Sequence, residues 1–420
     1  MRLRFVVFIF WICIIKSTEF YAKIVMISSS SDLNRMENPR TRYIIKGFID
    51  LKEHTIEMPP HSILEFEEGG QFINGVIIGN NTVVKAPQKL IFKNVGIEGT
   101  WSNSKVYSNW TDLKEGLVDN NLVFHNLMVL CGGTRYTHFF MQEGTYYVSA
   151  IKGSASIKVP SNIYWHNSAT IKMLPNNYEK YVMIYINMVD NVTIEGGCFV
   201  GDVENHTGNT GEWGHGIKCG GARKVTLKNL TCSCFWGDGI DLIEGLQNGQ
   251  ISNGCENITI DNVKCLNNRR QGMSIEAASN VRVSNSEFAY TGVPKYTPPG
   301  AGVNIEPWDN SCDKVWNVNF SNCSMHHNRN FDFICEPNVL RNNVYKQLKL
   351  KNNISVSDCQ MGFVLVRYTY GVRFSKSNIY NHLSMAMTED IQIKNSFVEK
   401  YSKTEDVHKL VFKGCKGSGF

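Results

Sequence analysis

Val225–Cys232 reads VTLKNLTC, and Ile258–Cys265 reads ITIDNVKC. Each alternates apolar and other residues three times, turns on a polar pair containing Asn, and closes on a cysteine. Period-two alternation is the pattern of a strand with one buried face, and Asn supplies the turn that follows. The phrase returns as VTIEGGCF from Val192, VRVSNSEF from Val281, VNFSNCSM from Val318, ISVSDCQM from Ile354, VRFSKSNI from Val372 and IQIKNSFV from Ile391. Successive starts lie 33, 33, 23, 37, 36, 18 and 19 residues apart. A strand this short cannot bury its face alone, so copies must stack and share one interior, with loops of unequal length between them. No apolar stripe of helical period separates the copies. The expected fold class is therefore all-β, a solenoid. Cys232, Cys265, Cys323 and Cys359 fall at related places and are expected to stack inside as small apolar side chains rather than as disulfides. Asn191, Asn229 and Asn257 open Asn-x-Ser/Thr triplets, but each coincides with a coil turn and is read as one.

A second phrase marks another strand of the same coils: GIKCGG from Gly216, GIDLIE from Gly239, GMSIEA from Gly272 and GVNIEP from Gly302, continued by DFICEP from Asp332 and GFVLVR from Gly362. Two longer stretches around it, NRRQGMSI from Asn268 and AGVNIEP from Ala301, carry a resemblance. The chain from about Ser161 to Lys400 resembles secreted bacterial proteins of the pectate lyase and polygalacturonase-like superfamily, which implies a right-handed parallel β-helix and a carbohydrate substrate.

Aligned on its glycines, the second phrase becomes columns whose members are one strand spacing apart, roughly 4.8 Å. One outward column reads Lys218, Asp241, Ser274, Asn304. Just before the glycines stand His215, Asp238 and Gln271, and two residues earlier Trp213, Trp236 and Arg269, so a polar patch with two tryptophans is expected across three coils. Further along lie Glu276, Glu306 and Glu336. Carboxylates about 5 Å apart repel by roughly 3 kcal/mol per adjacent pair at an effective dielectric near 20, so solvent, arginines, a raised pKa or a bound calcium ion must relieve them. The three glutamates are the candidate metal ligands, with calcium the candidate cofactor.

Asp238, Asp241 and Glu276 are the candidate acid, base or nucleophile of glycoside cleavage, assisted by His215, Lys218 and Arg270. The same cations would instead serve a lyase by abstracting or stabilising the proton next to a uronate carboxyl. Trp213 and Trp236 offer flat apolar faces for sugar rings, and Arg269, Gln271, Asn304 and Tyr296 complete the candidate substrate contacts. Tyr296 lies on the long Pro-rich loop YTGVPKYTPPGAG from Tyr290, and loops of this length tend to carry function. The GHG around His215 and the GDGID around Asp241 resemble two polygalacturonase phrases. Their order along the chain is reversed relative to that group, and its NTD and RIK elements have no counterpart, so polygalacturonase activity itself does not carry over.

Arg2 and Arg4 precede the apolar run FVVFIFWICII from Phe5 to Ile15, the pattern of a secretory signal too short to span a bilayer. The expected layout is a signal peptide over 1–22, a β-rich N-terminal lead-in over 23–130, the parallel β-helix over 131–400, and a C-terminal tail or cap over 401–420. With no other long apolar stretch, no integral membrane segment is expected after signal removal, and the protein should be exported: periplasmic, cell-surface or secreted. A net charge of +5 in 420 residues does not argue for nucleic acid. Dinucleotide, P-loop, HExxH and GxSxG signatures are absent from the sequence. The reading is an exported protein that binds a polysaccharide or oligosaccharide along its exposed sheet and cleaves it, as glycoside hydrolase or polysaccharide lyase; the alternative is a non-catalytic, tailspike-like carbohydrate-binding or adhesion protein.

Overall fold

The structure, a computed structural model, describes residues 23–308, 313–337, 350–404 and 406–418; the expected signal peptide lies outside them. It is a parallel β-helix, as the repeat and the resemblance imply. The chain opens with strands Lys23–Ile27, Thr41–Ile45 and Ile63–Phe66 pairing in parallel, then the long strands Gln71–Lys85 and Phe92–Trp101. A helix the sequence reading did not foresee, Asn121–Cys131, follows and buries Phe124, Leu127 and Leu130. Phe124 packs near Trp165 of the coils, so this helix joins the opening sheet to them through one continuous core.

Each regular coil contributes three strands. The first phrase forms one stack in which Val192, Val225, Ile258, Val281, Val318, Ile354 and Val372 pair successively, and Arg373 pairs with Gln392, so all eight copies stand in the register read from sequence. A second stack consists of three-residue strands such as Thr231–Ser233 and Lys264–Leu266, and the third is the glycine phrase. Short steps near the C-terminus reflect fusion of the second and third strands into single long ones, Gln360–Arg367 and Asn378–Ala386. That fusion shifts the last glycine: Phe333 pairs with Val364, so Gly362 stands one place out of the column assigned to it.

The alternate residues of all three stacks, among them Ile217, Leu227, Ile240, Ile260 and Met273, point into a core with no exposed surface. Asn191, Asn229 and Asn257 have φ of 59°, 56° and 58°, the left-handed turn conformation that Asn tolerates. Turn asparagines also bond their counterparts one coil away, as in Asn262 Nδ2 to Asn229 Oδ1 at 2.8 Å and Asn322 Nδ2 to Asn285 Oδ1 at 2.8 Å. Every described cysteine is a free thiol. They do not form one column, however. Cys265 pairs with Cys232 and then faces Phe288, whereas Cys323 and Cys359 occupy a turn position where Cys323 N–H donates to Cys359 Sγ at 3.4 Å. Among the described residues no helix is long and apolar enough to cross a membrane.

Candidate active site

The third stack pairs Tyr185 with Lys218, Lys218 with Asp241, Asp241 with Ser274 and Ser274 with Asn304. Their preceding neighbours in the pleat, Ile217, Ile240, Met273 and Val303, are core residues, so this column faces outward. The glycine before each has a steric cause. A Cβ on Gly239 would lie 2.6 Å from Asn268 Nδ2 and 2.7 Å from Gly272 O, and one on Gly272 would lie 2.5 Å from Gly302 O. Asn268 itself is buried at the corner, accepting Phe235 N–H and donating to Cys232 O. Tight corners thus bring Asp238, at the head of its strand, beside the outward column.

A buried ionic cluster results. Lys218 Nζ donates to Asp241 Oδ2 at 2.6 Å. Arg270 Nη1 donates to Asp238 Oδ2 at 3.0 Å and to Glu306 Oε1 at 3.0 Å, and its Nε lies 3.4 Å from Glu212 Oε2. Ser274 Oγ ties the two aspartates together, 2.8 Å from Asp238 Oδ2 and 3.4 Å from Asp241 Oδ1. Asp238 N–H donates to His215 Nδ1 at 3.2 Å, which leaves the neutral ring's proton on Nε2, 3.8 Å from Asp241 Oδ2.

Burial and charge push these groups apart. Burial raises Asp238 to about 7, only partly countered by Arg270, while Asp241 and Glu306 add to the rise. Burial, the largest single influence, would raise Asp241, but the Lys218 ammonium together with His215 and Arg270 outweighs it and holds the carboxyl below its ordinary value. Lys218 in turn resists its own burial because Asp241 holds it charged. Burial, then the charges of Asp241 and Glu306, lifts Glu276 well above the usual carboxylate range, and its Oε2 accepts Trp308 Nε1–H at 2.8 Å. Burial first, then the positive charge of Lys218, lowers His215 to about 3, so it is a neutral ring. Opposite protonation states on neighbouring carboxyls are what acid–base chemistry requires.

Several expectations need correction. Trp213 is 47% exposed, but Trp236 is only 2% exposed. Its indole is stacked 3.8 Å from the His206 ring and 3.8 Å from the Arg269 guanidinium, contacts that occupy both faces, and its Nε1–H donates to Thr210 O. Trp236 therefore anchors the loop before Trp213 rather than a sugar. Arg269 is fixed with it, donating to Gly211 O at 2.6 Å and Trp236 O at 3.3 Å, and pairs with none of the acids, whereas Arg270 does. Gln271 is buried and donates to Glu306, while its Oε1 and the Oδ1 of buried Asn304 have no partner among the described residues. Tyr296 is bonded to Asn330 and faces Arg329, while its neighbour Thr297 donates its backbone N–H to Arg269 O at 3.2 Å. Each member of the glutamate column has a specific partner: Glu306 has Arg270, Glu336 has Arg367 at 2.7 Å, and Glu276 has Trp308, and burial raises the carboxyls of Glu276 and Glu336 above their ordinary value. Among the described residues no three His, Cys, Asp or Glu side chains are grouped to hold a metal, so Glu276, Glu306 and Glu336 do not form the calcium site considered for them.

Other participants escaped the sequence reading. Glu212 reaches Arg270 from a loop whose path no periodicity reveals, and Tyr185 precedes the first glycine phrase, so only the pairing puts it beside Lys218. Asp202, Tyr181 and His206 form a buried hydrogen-bonded group beneath Trp236; His206 Nδ1 lies 2.8 Å from Asp202 Oδ2.

No family model matches the chain. It is 28% identical over 210 residues to the uncharacterized protein YclG of Bacillus subtilis (strain 168), covering 46% of this chain and 36% of that protein. It is 26% identical over 187 residues to the SPbeta prophage-derived uncharacterized protein YorA of the same organism, covering 41% and 32% respectively. These matches span about a third of the length of the curated relatives. Among solved structures, the A-module of mannuronan C-5 epimerase AlgE4 from Azotobacter vinelandii superposes with a TM-score of 0.51 at 12% identity, over 75% of this chain and 97% of that one. What the two share is the fold. The parallel β-helix expected from the resemblance is thus present in the chain and in a solved neighbour.

Proposed function

We propose that the protein is an exported carbohydrate-active enzyme that hydrolyses a glycosidic bond in a sugar chain lying against the glycine-phrase sheet. The observation that carries this is a pair of carboxyls in unlike surroundings: Asp241 accepts Lys218 Nζ–H at 2.6 Å and is held below its ordinary value, while burial and the charge of Asp241 push Glu276 well above its own. Glu276 is the half-buried member and the proton donor to the departing glycosidic oxygen; Asp238 and Asp241 have no exposed surface. Asp241 supplies the negative charge that an oxocarbenium-like transition state needs, a water adds its hydroxyl to the anomeric carbon, and its remaining proton restores Glu276. Elimination next to a uronate would call for a free cation or base, and here Lys218 and Arg270 are each engaged by carboxylates. A carbohydrate substrate is supported by the resemblance and by a solved neighbour named for mannuronan.

The burial of Asp238 and Asp241 favours a second reading, in which the cluster only braces a sugar-binding face. Incubation with neutral and uronic-acid polysaccharides, reading reducing ends and the absorbance of unsaturated products, separates them. Hydrolysis gives new reducing ends without unsaturation, lost at least about a hundredfold in Glu276→Gln. Unsaturated products would mean a lyase, and binding without cleavage would leave the second reading.

A further inference from the structure

Away from the acid cluster, a cavity of about 520 Å³ opens where strand Ser324–His326 turns toward Phe331–Cys335. A neighbouring cavity of about 300 Å³ continues it, and Ser324, His326 and Gln360 line both. These volumes are of the size that small-molecule sites occupy. Phe363 and Tyr380, on adjacent coils, line the larger cavity and are 47% and 48% exposed. Gln360 and Asn381 present exposed side-chain amides there.

Two of the acidic neighbours, Glu287 and Asp332, are already committed. Glu287 lies 3.3 Å from His326 Nε2 and 3.5 Å from Lys264 Nζ. Asp332 accepts Asn328 Nδ2–H at 2.7 Å and the backbone N–H groups of Gly362 and Phe363 at 2.6 and 3.2 Å. Aromatic faces and spare amides match the chemistry of an uncharged sugar, whose ring has an apolar face and a rim of hydroxyls, and the exposed Asp358 carboxylate lining the smaller cavity disfavours an anionic chain.

We infer that this groove is a second carbohydrate-binding site, taking uncharged hexose or pentose units of a polysaccharide on a different strand stack from the acid cluster. The site rests on the carbohydrate reading above and deepens it. It lies three to four coils from Asp241, roughly 15–20 Å along the axis at one strand spacing per coil. A polymer occupying both sites gains avidity without any change at the reacting bond.

The test is affinity electrophoresis in gels containing dextran, xylan, polygalacturonate or alginate, with wild type, Glu276→Gln and a Phe363→Ala/Tyr380→Ala variant whose melting temperature is checked first. Wild type and Glu276→Gln are expected to be retarded by dextran or xylan, and the double variant roughly five- to tenfold less, the loss of two aromatic contacts. Its release of reducing ends from trimers of the same polymer is expected to stay within about twofold of wild type. Equal retardation of the double variant and wild type, or retardation only in the anionic gels or in none, overturns the site. Retardation that depends on Phe363 and Tyr380 without cleavage of any polymer upholds the site and overturns the hydrolase reading; cleavage without such dependence does the reverse.

Discussion

Asp238 and Asp241 stand three positions apart on one strand and titrate in opposite directions because their neighbours differ. Asp241 meets an ammonium at 2.6 Å; Asp238 shares its arginine with Glu306 and Glu212. Unfolded, Asp238 ionises near 3.8, and folded it keeps its proton to about 7. Between those values the folded protein binds the extra proton. Its contribution to stability is therefore complete below pH 3.8 and is lost as pH rises through 7, a change on the order of 4 kcal/mol. Asp238→Asn, which cannot ionise and leaves Arg270 with Glu306 and Glu212, is expected to melt progressively higher relative to wild type from pH 4 to 7 and to level above it. A pH-independent difference in melting temperature would assign Asp238 an ordinary pKa. Trp236 and the Arg269–Arg270 pair mark the limit of legibility at this scale. A column alignment shows which residues head a strand, but the loop from Asp202 to Glu212 decides that Trp236 is covered and that adjacent arginines go to different partners.

At the level of strands the reading went furthest. All eight first-phrase copies pair as the sequence aligns them, and so does Lys218–Asp241–Ser274–Asn304. Period-two burial fixes register strongly, because a one-residue slip would turn every core residue outward. The misread positions lie where that constraint relaxes. Gly362 belongs to a coil whose strands have fused, and Cys323 and Cys359 sit in the turn rather than on the strand. The glycine column is the most exacting element, and Gly239→Ala tests it. With backbone at 2.7 Å and a buried amide at 2.6 Å from the added methyl, adjacent coils must separate, and a loss of about 3 kcal/mol or more is expected in denaturant unfolding. Gly47→Ala, with open space around it, carries only the strain of its positive φ and is expected to cost less. Equal costs would mean that the corner is loose.

Over the whole molecule, one buried core runs from the opening sheet through the connecting helix to the last coils, and function is carried by what the stack displays outward. The carboxyl states belong to this level, since Lys218, Asp241, Ser274 and Glu276 come from three coils and meet only because the coils stack in register. Infrared difference spectroscopy in the carbonyl-stretch region of protonated carboxyls, at pH 8 where Asp238 is mostly ionised, reads those states in the intact protein. A protonated-carboxyl band present in wild type and absent from Glu276→Gln, but retained in Asp238→Asn, is the expected result; a spectrum in which Glu276→Gln removes no such band would show Glu276 already ionised and contradict its role as the acid.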